Sequence, residues 1–79
     1  MNSEWQEIDG ALHKKFEFRN FAEAFAFMTK VAAVAELQNH HPDWSNSWNI
    51  VEVSLCSHEK GAVTQRDHDL AKAIDELLA

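Results

Sequence analysis

His40 and His41 stand side by side before Pro42, His58 follows at the end of an alternating apolar run, and Asp67 opens the last amphipathic segment. Imidazoles titrate near neutral pH, so two or three of them facing one cavity supply a proton donor and a proton acceptor together. Pro42 lacks an N–H and disfavours the α region for His41, which places the pair at the C-terminus of the preceding helix. The partial negative charge of that terminus favours imidazolium, the form a general acid needs.

Each of these residues also has a plainer explanation. A His-His pair in a polar loop is more often a surface feature than a catalytic one, and His58 serves equally as a strand-end residue. Asp67 is the acid of a Thr-x-x-acid capping box, Thr64-Gln65-Arg66-Asp67, which does structural work in any helix. Trp44 and Trp48 are able to stack on a flat heterocycle, yet tryptophans flanking a loop usually belong to a core or an interface. His13 and His68 read as solvated. Cys56 precedes His58 by two residues, and side chains at that spacing on a strand stand roughly 7 Å apart, too far for a nucleophile–base hydrogen bond. A thiol enzyme is therefore discounted.

The elements that must position these groups follow from turn and periodicity signals. Asp9-Gly10 separates Trp5 to Ile8 from Ala11 to Phe18, and Asp-Gly between such runs signals a β-hairpin because both residues tolerate positive φ. In the second strand Leu12, Phe16 and Phe18 share a face that Lys14 interrupts. Asn20 then N-caps a helix, with Glu23 three residues on. Phe21, Ala24, Phe25, Met28, Val31, Ala32 and Ala35 fall on one helical stripe, whereas Phe27, Val34 and Leu37 form a second that the same sheet cannot cover. The helix should end near Asn39 or His40. Pro42 to Ser47 reads as a loop and Trp48 to Ser57 as one strand, in which Ile50 beside Val51 breaks parity and suggests a bulge. A second helix follows Thr64. The expected architecture is α+β: a two-layer sandwich in the order β-β-α-β-α, with a mainly antiparallel sheet covered on one face by two helices.

Composition limits the alternatives. Residues 1–79 suit one domain, and 46% hydrophobic residues with only two Gly and one Pro argue for a folded chain. Thirteen acidic against seven basic residues give a net charge of -6 without a basic patch, which argues against nucleic-acid and anionic-lipid partners. A single cysteine excludes an intrachain disulfide and a thiolate zinc cluster and fits a reducing compartment. With no signal-like N-terminus and no span of about 20 apolar residues, a cytoplasmic location is the expectation.

Read together, Glu36, three residues, His40-His41-Pro42, five residues, Trp48, nine residues, His58, eight residues and Asp67 resembles the signature of the pterin-4a-carbinolamine dehydratases. The flanks are similar as well, at Phe16-Glu17-Phe18, Phe21 to Val31, Asn46, Asn49, Val51 to Leu55 and Leu70 to Ile74, so the likeness covers nearly the whole chain from Trp5. Members of that family commonly carry a further segment ahead of the first strand, and this sequence begins almost at that strand. The resemblance implies dehydration of a 4a-hydroxytetrahydropterin to the quinonoid dihydropterin in tetrahydrobiopterin recycling, with neither metal nor organic cofactor. By the same analogy His40 and His58 serve proton transfer at the C4a hydroxyl, and His41 serves positioning or the complementary transfer. Asp67 would orient an imidazole, and Glu36 and Trp44 would line the pterin pocket.

Two readings from other classes stand beside this one. In the first, His40, His41, His58 and Asp67 are ligands of a metal ion such as zinc. In the second, the chain is a non-enzymatic protein-binding module, since animal relatives also act as dimerisation cofactors of a homeodomain transcription factor. The second apolar stripe of the first helix predicts a homodimer or homotetramer.

Overall fold

In the computed structural model, residues 4–78 are described. Strand β1 (Gln6–Ile8) and strand β2 (Ala11–Glu17) form the expected hairpin, with Asp9 and Gly10 at φ 52° and 80° as the two-residue turn demands. Helix α1 (Phe21–Gln38) starts at Asn20, whose side chain accepts the Glu23 N–H at 2.9 Å. Strand β3 (Asp43–Ser47) and strand β4 (Ile50–Leu55) then precede helix α2 (Gln65–Glu76). All pairings are antiparallel and the sheet order is β1-β2-β4-β3.

The α+β class and antiparallel sheet agree with the sequence reading, but the element order is β-β-α-β-β-α. The polar stretch read as a loop is an edge strand, Asp43 to Ser47, paired along its length with β4. What looked like a bulge near Ile50 is a tight hairpin turn. Trp48 adopts φ 51°, and the Asn46 amide donates to the carbonyls of Trp48 and Ile50 at 3.1 and 2.9 Å, holding the reversal without a glycine.

Sheet alternation puts Leu12, Phe16, Val51, Val53 and Leu55 on one face, where they pack with Ala24, Phe27 and Val31 of α1 and Leu70, Ala71 and Ile74 of α2. Lys14 shares this face, and its cation is accommodated rather than buried bare. Its Nζ meets Asp75 Oδ1 at 2.8 Å and lies 5.1 Å from the Phe16 ring centroid, while the Trp5 indole N–H donates to Asp75 Oδ2 at 3.0 Å. The opposite sheet face is polar, with His13, Lys15 and Glu52 exposed.

The inward stripe of α1 differs from the expected one. Ala24, Phe27, Val31 and Ala35 are buried, and Met28 and Val34 pack against the core, whereas Phe25 and Ala32 are exposed. Apolar residues surround this helix, so periodicity alone did not select the face; the inward side is fixed by Phe27, whose ring sits 4.7 Å from Phe16 and 5.0 Å from Phe18. Truncation of Phe27 to Ala is therefore expected to cost about 3–5 kcal/mol in urea denaturation. A loss under about 1 kcal/mol would mean the ring is not in the core.

Candidate active site

The chain reverses sharply after α1. Asn39 takes the left-handed conformation (φ 52°, ψ 43°) at the C-cap, its N–H reaching the carbonyls of Ala35 and Glu36, and the His40 N–H donates to Ala35 O at 3.1 Å. This turn folds His40 back towards the start of α2, where its side chain is almost wholly enclosed. His41, one residue on, points outwards and pairs with Glu36 at 2.6 Å.

Asp67 receives His40. The carboxylate is fully buried, with Oδ1 at 2.5 Å from His40 Nε2 and Oδ2 accepting from the Thr64 N–H at 2.8 Å and the Ser57 hydroxyl at 3.0 Å. The Ser57 proton is thereby committed to Asp67, so the Thr64 hydroxyl donates in the 2.6 Å contact with Ser57. Burial raises the Asp67 pKa, but the hydrogen bonds from His40, Thr64 and Ser57 and the attraction of the imidazole outweigh it and hold the carboxyl below its ordinary range. An ionised Asp67 can only accept, so Nε2 of His40 carries a proton and Nδ1 is the ring nitrogen that the carboxylate does not engage.

His58 lies in the turn after β4, mostly exposed, with Nε2 at 3.2 Å from Asp43 Oδ2 on the neighbouring strand β3. The three histidines open onto one cleft of about 250 Å³, together with Asn39, Pro42, Asp43, Glu59 and Arg66. Each imidazole thus has its own carboxylate: Asp67 for His40, Glu36 for His41 and Asp43 for His58. Such pairs fix ring orientation and let one nitrogen exchange protons while the other is held.

The sequence-predicted set is only partly brought together. Glu36 reaches the cleft through His41, and Asp67 sits behind His40 as both cap and orienting group. Trp44 does not line the cleft; it is half-buried against the core and borders a separate groove on the sheet. The metal-ligand reading of His40, His41, His58 and Asp67 has no common centre, because these imidazoles face three different carboxylates. His13 and His68 are exposed, as read.

The separation assumed for Cys56 and His58 is overturned. β4 ends at Leu55, so the two residues are not on extended strand, and Cys56 Sγ lies 3.7 Å from His58 Nδ1. Burial, then the charges of Asp43 and Asp67, push the thiol pKa upwards, which keeps it protonated near neutral pH and still disfavours a thiol nucleophile.

Asp43 and Arg66 escaped the sequence reading. Asp43 was hidden by the missed edge strand. Arg66 left one signal, a cation in the first turn of a helix, where the dipole disfavours it. Its guanidinium donates to Asn39 O at 2.6 Å and meets Glu59 at 3.0 Å, tying the end of α1 to the start of α2.

Because its folded-state pKa is depressed, Asp67 stabilises the fold fully above the ordinary carboxylate value of about 3.9, and this contribution is lost as pH falls through the lower folded-state value. Asp67→Asn should cost about 1–3 kcal/mol near neutral pH. It should also flatten the loss of stability on acidification from about pH 5 to pH 2. Urea midpoints with the same acid dependence in variant and parent would contradict this role.

With that geometry in hand, comparison with known proteins is specific. The sequence model of the family described as pterin 4 alpha carbinolamine dehydratase matches residues 1–77. A protein of Afipia carboxidovorans, provisionally named a pterin-4-alpha-carbinolamine dehydratase, is 52% identical over 77 residues, 95% of this chain and 77% of the relative. A crystal structure from Brucella melitensis, described as a transcriptional coactivator/pterin dehydratase, superposes with a TM-score of 0.90 at 36% identity over 95% of this chain and 82% of that one. The fold is shared more distantly, at TM-score 0.76 and 24% identity over 94% of this chain and 86% of the other, with a pterin dehydratase-like protein described as a RuBisCO assembly factor in the alpha-carboxysome. Matched along nearly its whole length in sequence and in fold, this chain belongs to the pterin-4-alpha-carbinolamine dehydratase family.

Proposed function

We propose that the protein dehydrates a 4a-hydroxytetrahydropterin to the quinonoid dihydropterin by histidine acid–base catalysis, in tetrahydrobiopterin recycling. The observation that carries this reading is the gathering of His40, His41 and His58 on one cleft, with His40 locked by a buried carboxylate. The C4a–O bond breaks with its electron pair on oxygen, which takes a proton and leaves as water. N5 gives up its proton to a base, and the electron pair left behind forms the N5=C4a double bond. One acid and one base near neutral pH suffice. His40 and His58 serve proton transfer at the C4a hydroxyl, and His41 positions the ring or carries the complementary proton. Asp67 is a positioning residue, fixing which nitrogen of His40 is available.

The outward face of α1 supports the further proposal that copies of the chain associate. Phe21, Phe25 and Leu37 are exposed there, with Ala22, Ala26, Ala32 and Ala33 between them, and the rings of Phe21 and Phe25 stack at 5.9 Å. This replaces the stripe expected from sequence, since Phe27 and Val34 face the protein's own core. The same face favours a second reading, a protein-binding module that does not depend on the histidines; His58→Ala would spare that function and sharply reduce the first.

Loss of one acid–base group typically costs about 10²- to 10⁴-fold in rate. His40→Ala and His58→Ala should each fall in this range in a coupled hydroxylase assay, unequally for the two C4a epimers, and the double variant should fall below both. Activity should survive exhaustive EDTA treatment. Full activity in a folded double variant, judged by circular dichroism, would refute the catalytic assignment, and a chelator-sensitive enzyme restored by zinc would refute the metal-free one. Separately, light scattering of Phe25→Glu should show a smaller species than the parent at micromolar concentration; a monomeric parent would end the association proposal.

A further inference from the structure

Among the described residues, one group of three mixed metal-ligand side chains converges, and it is not the histidine set. One ligand atom each from Asp43, Cys56 and His58 lies within 4.8 Å of the others. Cys56 Sγ is 3.7 Å from His58 Nδ1, and Asp43 Oδ2 is 3.2 Å from His58 Nε2. A tetrahedral zinc ion with bonds of about 2.0–2.3 Å separates its ligand atoms by about 3.3–3.8 Å, so a set lying within 4.8 Å with one atom from each residue needs to tighten by about 1 Å to hold the ion. In the present ring orientation the two nitrogens of His58 face different partners. Its side chain is 71% exposed, and one of its nitrogens already lies within 4.8 Å of both a carboxylate oxygen of Asp43 and the Cys56 sulfur.

The ligand types are those of a thiophilic divalent cation: thiolate, imidazole and carboxylate, with a fourth position open to water. β3 supplies Asp43, and the turn after β4 supplies Cys56 and His58, so the paired strands hold the donors together. The raised thiol pKa does not exclude binding, because a bound dication displaces the thiol proton. We propose that Asp43, Cys56 and His58 bind a divalent cation of the Zn²⁺ class at the mouth of the cleft, and that this ion withdraws His58 from it. The consequence for turnover rests on the dehydratase reading: the ion would act as a reversible inhibitor, not as a cofactor.

Full-length protein without an affinity tag, stripped with EDTA, should bind one Co²⁺ per chain with a thiolate-to-cobalt charge-transfer band that Zn²⁺ abolishes. Cys56→Ser should lose the band and bind at least about tenfold more weakly, with Cys56→Ala as the alternative should the serine variant misfold. In NMR spectra Zn²⁺ should shift the His58 imidazole resonances and leave those of His40 in place. Absence of the band in the parent, its persistence in Cys56→Ser, or unmoved His58 resonances would overturn the proposal. In the turnover assay Zn²⁺ should inhibit the parent reversibly and Cys56→Ser at least about tenfold less. An active parent indifferent to Zn²⁺ would refute the withdrawal of His58. A parent without dehydration before any metal is added would count against the dehydratase reading alone, while the spectral tests still decide the site.

Discussion

Three groups from separate parts of the chain meet at the Asp67 carboxylate: the His40 imidazole that follows α1, the Ser57 hydroxyl that follows β4, and the Thr64 backbone amide at the α2 N-terminus. A carboxylate without solvent is tolerable only because every one of these donors aims at it. The same set of bonds closes the first turn of α2, fixes the entry of that helix against the sheet, and determines which nitrogen of His40 faces the cleft. No buried side-chain polar atom among the described residues is left without a partner. Satisfaction of this one anion accounts for much of that completeness.

The remaining two histidines are held differently. His41 and His58 sit at the surface, and their partners Glu36 and Asp43 are exposed too, so these pairs contribute little to stability. The cleft therefore combines an enclosed imidazole at its base with two exposed ones at its rim. Rigidity at His40 comes from the packed layer beneath, where Phe16, Val51 and Leu55 of the sheet meet Val31 and Leu70 of the helices. The turn that carries His58 is held at its ends, by Ser57 bridged to Ala62 and by Glu59 paired with Arg66, while the imidazole itself stands in solvent.

Much of this was legible in the sequence where a local rule had one solution. Asp9-Gly10, Asn20 and Thr64 each marked a boundary, since positive φ or an unpaired helix N–H leaves few residue choices. The histidines stood out only through the resemblance of the whole Glu36-to-Asp67 pattern to a family signature; taken by themselves they read as surface residues. The parts that stayed hidden have physical reasons. Asp43-Trp44-Ser45-Asn46-Ser47 is an edge strand with polar residues on its open face, which matches loop composition. Trp48 occupies a left-handed position that normally calls for Gly or Asn, so the hairpin lacked its usual sign. Helix α1 is apolar on every side and gave no direction to the core until Phe27 was seen against Phe16 and Phe18. The pairing of Cys56 with His58 depended on where β4 stops, a matter of two residues.

The double duty of Asp67 makes it a poor witness. Since the carboxylate holds up the start of α2 as well as an imidazole, its retention in a related chain, and that of His40, testifies to the fold as much as to any chemistry. His58 is exposed, is paired with Asp43 and Cys56 at the surface, and has no such part in the core. In a set of related chains, the exposed rim histidine, not the enclosed pair, is the residue whose presence cannot be put down to folding alone.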